Sequence, residues 1–330
     1  MEEYLTLLQN VIGNGTYKPN RTAMDTISDF GQSYKIDISE EFPLVTTKDL
    51  SGFRWNSLVH EFLWYLSGEE HIRTLREHSG IWNAWANEDG ELDTAYGRFW
   101  RRYPQPEPEH QFGGENWIGN NSSVSWRNDD GTVDQIQYVI DMLNNNPQTR
   151  RMVVTAWHPA NATTSTLPPC HFTFVFNVSG DKLNVHLTQR SGDIALGIPF
   201  NIAAYSLLTK VIATQTGYTP GEFSHTIVDA HAYCGSGDRG SWYEDNLLEV
   251  QSLLQDSAQS ALEHIETHAP GSNTENKDHI PNLLRQIQRD PRKSPTLKLP
   301  NDVTVDTISR EDIRLLDYEP HDSLDFYVAE

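Results

Sequence analysis

A hairpin pattern followed by a long apolar helix limits what this chain can fold into more than any other stretch. Residues Phe172 to Val178 and Leu183 to Gln189 read as strands joined by Ser179-Gly180-Asp181, and the second alternates Leu183, Val185 and Leu187 with polar residues. Ile202 to Thr216 then reads as a buried helix that Gly217 closes. Tyr4, Leu5, Leu8, Val11 and Ile12 recur at helical spacing before Gly13-Asn14-Gly15, and Trp55 to Leu66 gives a second apolar helix with Glu61 inside it. Asp134 opens a helix that ends at Asn146-Pro147, Arg151 to Trp157 reads as a strand, and another helix is expected around Asn246 to Ile265. Strands and helices mix without a regular βαβ rhythm, so the expected class is α+β, one large mixed β-sheet packed with helices. A single domain over 1–330 is expected, with surface insertions at about 104–133 and 234–277, where the sequence turns polar and acidic and the first stretch loses its period.

Composition narrows the function classes. No apolar run is long enough to span a bilayer, and the acidic start Met1-Glu2-Glu3 lacks the basic and apolar regions of a signal peptide, so a cytoplasmic protein is expected. Cys170 and Cys234 are then expected to be reduced. Formal net charge is −21, from 46 acidic and 25 basic residues, a field that repels nucleic acid and anionic membranes. The acid is spread along the chain and not gathered in a tail, which favours adaptation to a salty cytoplasm over an ordinary acidic protein.

Chemistry gathers around Cys170, set in Leu167-Pro168-Pro169-Cys170-His171 and followed by Gln189-Arg190-Ser191-Gly192-Asp193 and Gly197-Ile198-Pro199-Phe200-Asn201. A thiol beside a cation and a histidine can be held as thiolate, the form that attacks carbon. Taken singly, each group also has a plain structural reading. Cys170 fits a small buried hydrophobe, Glu61 a paired core carboxylate, Trp82, Trp85 and Trp100 core aromatics, and Arg150-Arg151 solvated cations at a helix end.

Order and spacing across almost the whole chain decide between these readings. Asn20-Arg21-Thr22, Phe42 through Lys48, His60-Glu61-Phe62-Leu63-Trp64, Tyr96-Gly97 with Trp100-Arg101, Arg150-Arg151 with Trp157, Pro169-Cys170-His171, Gln189-Arg190-Ser191 with Asp193, Leu196 through Ile202, Asp229 with His231 and Tyr233, and Asp317 through His321 together closely resemble the thymidylate synthases, the folate-dependent enzymes that methylate dUMP. The resemblance implies a symmetric dimer joined through the sheet, and dUMP and 5,10-methylenetetrahydrofolate as substrate and cosubstrate, with no metal. It makes Cys170 the nucleophile, and gives Glu61, Tyr96 and Asp193 roles in proton transfer and contact with the reacting pair. Arg21, Arg150, Arg151 and Arg190 with Ser191 would bind the phosphate, with Gln189 beside them, while His231 and Tyr233 would hold the deoxyribose hydroxyl. Arg150 and Arg151 would be contributed to the partner's site. Ile81, Trp82, Trp85, Asp193, Leu196, Gly197, Phe200 and Ala329 match the folate wall.

Asn201 selects the base. A uracil edge offers a carbonyl acceptor and an N–H donor, which a carboxamide matches, whereas a 4-amino pyrimidine pairs better with a carboxylate. The resemblance breaks at Ala23-Met24-Asp25, where the family has a glycine-rich loop, at Asn83 and at His158. It breaks again at the final Val328-Ala329-Glu330, and at the Asn-His pair after Tyr233, here displaced to Asp278-His279 beyond the insertion. Two other functions remain compatible with the residues: a uracil hydroxymethylase, in which water and not hydride traps the exocyclic carbon, and a nucleic-acid-binding regulator, against which the charge argues.

Overall fold

The computed structural model describes residues 1–20, 23–93, 95–104, 124–162 and 165–328. Arg21 and Ala329, both expected at the site, lie outside these residues, as does most of the 104–133 stretch. The chain opens with α1 (Glu2–Asn14), β1 (Thr16–Lys18) and β2 (Asp25–Asp37), followed by α2 (Phe53–Ser67), α3 (Arg73–Arg76), α4 (Tyr96–Arg101) and α5 (Gln135–Asn145). Then come β3 (Val153–Thr155), α6 (Pro159–Ala162), β4 (His171–Ser179), β5 (Lys182–Asp193), α7 (Gly197–Thr216) and β6 (Thr219–Gly235). The chain continues through α8 (Gly237–Asp256), α9 (Ala258–His268), α10 (Ile280–Ile287), β7 (Thr296–Lys298) and β8 (Arg314–Leu316).

Six strands form one mixed sheet in the order β1-β2-β6-β5-β4-β3, antiparallel throughout except where β5 and β6 run parallel. The β4–β5 hairpin turns at Gly180 with φ +66°, a conformation that costs glycine nothing. Buried Leu183, Val185 and Leu187 face α7, which is apolar nearly all round because it lies between the sheet and α2. Helices α1, α7 and α10 cover this face. On the other face Thr173, Val175, His186, Thr188, Ser224 and Thr226 stay half-exposed. The α+β expectation therefore holds.

The structure differs from the sequence expectation at several elements. Helix α7 begins at Gly197 and not Ile202, because Pro199 falls in the first turn, where a missing N–H costs nothing. The single helix expected at Asn246 to Ile265 is two, broken where Ser257 caps α9 by accepting from the Ser260 amide. These two helices bury Tyr243, Leu247, Val250, Ala261, Leu262 and Ile265 in the common core, so the polar segment 234–277 has a packed inner face. Strands β2 and β6, central to the sheet, have no counterpart in the sequence reading. Their half-exposed face hides the two-residue alternation.

Candidate active site

Local packing brings α2 and α4 together first. A Cβ on Gly97 would stand 2.4 Å from the Tyr65 carbonyl and 2.9 Å from that of Trp64, so only glycine permits this helix crossing. The contact aligns Glu61 and Tyr65 of α2 with Tyr96 of α4. Glu61 is buried and accepts a 2.7 Å hydrogen bond from the Trp82 indole. Burial lifts its carboxyl to about 7, with the Tyr65 and Trp82 hydrogen bonds opposing.

Tyr96 packs its ring 5.5 Å from that of Tyr65 and reaches the Cys170 backbone. Its ring stacks on His171 at 3.7 Å, and its hydroxyl accepts from the Cys170 amide at 2.6 Å. Burial first, then Cys170, holds the phenol well above its ordinary range, so it stays protonated. His171, the histidine next to the thiol, adds no charge there. It is buried against Tyr205, 2.8 Å away, and desolvation pushes it down to about 3, so it is neutral.

The cation is Arg190. Its Nη2 lies 3.4 Å from Cys170 Sγ, while Nη2 and Nε donate to the Pro168 and Pro169 carbonyls at 2.6 and 3.0 Å. Two prolines thus present two carbonyls that aim a guanidinium at the sulfur, where positive charge favours thiolate over thiol. Arg190 and Ser191 are accessible together because burial alternation slips by one residue here: Gln189 is buried, and the next buried positions are Gly192 and Ile194. Strand β6 slips at the same rungs, with Ile227 and then Ala230 and Ala232 buried, so Asp229, His231 and Tyr233 share the opposite face with Ser191 and Asp193.

Parallel register sets Asp193 beside His231. His231 lies 3.4 Å from Asp229, a carboxylate held far below its usual range by His231, with Lys18 and Ser28 also hydrogen-bonded to it. The Gln189 side chain is committed behind the site, donating to the Ser191 carbonyl at 3.0 Å and accepting from His225 at 3.1 Å, so it supports Ser191 from below. Asn201 is half-buried on α7, one turn beyond Gly197, with Leu196 and Phe200 half-buried nearby. Ile81 is exposed, Trp85 half-buried and Trp82 buried, giving apolar faces of graded access.

Two titratable groups join the site without an expected role. Lys48 is buried, donates to the Ala195 carbonyl, and is pulled down to about 7 by burial against the opposing pull of Asp193. His279 lies with its Nδ1 3.9 Å from Asp193 Oδ1. Both fall inside or next to family-like segments, and that was their only sequence signal. Arg150 and Arg151 are not brought to this cluster. They are exposed and form no ion pair with a described residue.

A thiol with an adjacent guanidinium, a near-neutral buried carboxyl and a half-buried carboxamide at Asn201 has the groups needed for addition to an electron-poor ring. The thymidylate synthase family model matches residues 2–330. The chain belongs to the thymidylate synthase family. It is 58% identical to the thymidylate synthase of Haloferax volcanii, over 98% of this chain and 95% of that relative. Its class is therefore that of a methyltransferase, and no group of three or more His, Cys, Asp or Glu side chains able to hold a metal occurs among the described residues.

Proposed function

We propose that the chain converts dUMP to dTMP with 5,10-methylenetetrahydrofolate through the site built on Cys170. The observation that carries this reading is the 3.4 Å approach of Arg190 to the Cys170 sulfur, beside a carboxyl poised near neutrality. Addition of the thiolate to carbon 6 of uracil forms a C–S bond and moves the ring electrons onto the carbon 4 oxygen, making carbon 5 nucleophilic. Glu61, held to about 7 by burial, can carry the proton that the ring gains and loses, with Tyr96 donating from a phenol that does not ionise. Arg190 and Ser191 bind the phosphate, His231 and Tyr233 the sugar hydroxyl, and Asn201 the base edge.

Exposed Ile81 with half-buried Trp85, Leu196 and Phe200 offers apolar faces that fit a flat heteroaromatic ring, with Asp193 as a polar anchor. A bound reduced folate supplies the one-carbon unit and the hydride. The half-exposed sheet face, with Phe30 and Val228 exposed on its strands, supports a twofold partner. Strand register favours a site shared between subunits. Val153 pairs with Val175, so Arg151 aligns with Asn177, seven residues and about 23 Å along the ladder from Cys170, beyond the reach of one arginine. The net charge of −21 supports a cytoplasmic, salt-adapted setting.

Turnover tests the reading directly. The purified chain in molar KCl should form dTMP and dihydrofolate from dUMP and the folate, and Cys170→Ser should bind dUMP without turnover. Hydroxymethyl-dUMP as the product, or full activity in the serine variant, would refute it.

A further inference from the structure

His279 joins parts of the molecule that lie far apart in sequence. Its backbone amide donates to the Tyr233 carbonyl at 3.0 Å, and its ring meets Tyr233 and Phe326 edge-on at 5.5 and 5.2 Å between centroids. Nε2 is 2.9 Å from the carbonyl oxygen of Tyr327 and 3.0 Å from its amide nitrogen. Nδ1 is buried without a hydrogen-bond partner among the described residues, 3.9 Å from Asp193. The residue before it is fixed: Asp278 accepts from Arg239 Nε at 2.6 Å, from the Tyr243 hydroxyl at 2.9 Å and from the Ile280 amide at 2.9 Å. A ring anchored this firmly holds whatever it touches.

What it touches is the end of the chain. Residues 321–327 run beside α10 and the segment after it, where Asn282 donates to the Asp325 carbonyl at 2.8 Å, Arg289 donates to the Asp322 carbonyl at 2.7 Å, and His321 lies 2.9 Å from the Asp290 carbonyl. Lys48 reaches the tail from the other side, with Nζ 4.6 Å from the centre of the Phe326 ring. Lys48 also donates to the carbonyl of Ala195, whose amide donates to Asp193 at 2.8 Å. Tail, Lys48, His279 and Asp193 therefore form one connected cluster. The proton on the imidazole only selects the contact. On Nε2 it is donated to the Tyr327 carbonyl; on Nδ1 it faces the Asp193 carboxylate, and Nε2 accepts from the Tyr327 amide. Either tautomer grips the backbone, whatever side chain stands at that position.

We propose that His279 is a positioning residue that latches tail residues 326–327 to the Asp193 and Tyr233 end of the site, and so tightens folate binding. This rests on the reading of Asp193 and Tyr233 as site residues. Two readouts separate the latch from that reading. Carboxypeptidase release of Tyr327 from the ligand-free chain reports the latch alone: His279→Ala should speed it about tenfold, the scale of one lost buried hydrogen bond. His279→Gln, whose amide can occupy the Nε2 position, should restore most of the protection. In steady-state assays His279→Ala should raise KM for the folate and leave KM for dUMP unchanged, and it should add nothing to a chain ending at Asp325. Equal release from a folded His279→Ala protein overturns the latch, as does faster release without a change in folate KM. Wild-type protein that forms no dTMP would instead refute the proposed reaction. If His279→Ala fails to fold, the chain ending at Asp325 decides: the imidazole 15N shifts of His279 should move on truncation, and unchanged shifts overturn the proposal.

Discussion

Replacing Glu61 with Gln isolates the one carboxyl that burial holds near neutrality. The unfolded chain releases this proton near 4.5, whereas the folded chain keeps it up to about 7. Between those values the folded state binds more protons, so the wild-type contribution becomes less favourable as pH rises, and above the window its full cost is about 3 kcal/mol. Gln does not ionise, yet its carbonyl can still accept from Trp82. The stability difference between Glu61→Gln and wild type should therefore widen in favour of the variant by about 2 kcal/mol from pH 5.5 to pH 8. Chemical denaturation at fixed chain concentration and fixed salt measures it, over a range that stays above the pI of 4.9. Turnover should fall in the same variant by roughly a hundredfold or more, as expected for loss of a proton carrier. A stability difference that stays flat across this range would show that Glu61 ionises as a solvated carboxylate does, and would remove it as the near-neutral proton carrier.

Asn201→Asp should shift binding from dUMP toward dCMP, since a carboxylate accepts from a 4-amino group but offers no donor; competition binding with an unchanged ratio would refute the assignment. Cys170→Ser chains refolded with Arg150→Glu/Arg151→Glu chains should regain activity well above the sum of the two parents, because one site in each mixed dimer escapes both defects. Mixed dimers seen by size-exclusion chromatography without regained activity would place these arginines in their own chain's site. Melting temperature should rise with KCl, as a Debye length of about 3 Å at 1 M quenches repulsion among the carboxylates. A melting point flat from dilute buffer to molar salt would refute salt adaptation.

Local periodicity was legible wherever one face was cleanly apolar. It gave α1, α2, α5, the β4–β5 hairpin and the body of α7, and ordered motifs marked Cys170, Arg190, Asp193 and Asn201 without any geometry. The long strands β2 and β6 were not legible, because one of their faces is half-exposed and polar, and β6 slips register beside the site. The chain by itself thus determined which chemistry-bearing residues exist and which family they belong to, since both are written in residue type and order. Tertiary structure decided what those residues can do. It took the charge from His171 by burying it, gave the thiol Arg190 through two proline carbonyls, and raised Glu61 by desolvation. It also set Lys48 and His279 against Asp193 and the tail. Charge state depends on solvent exclusion and on neighbours remote in sequence, and only the folded chain supplies either.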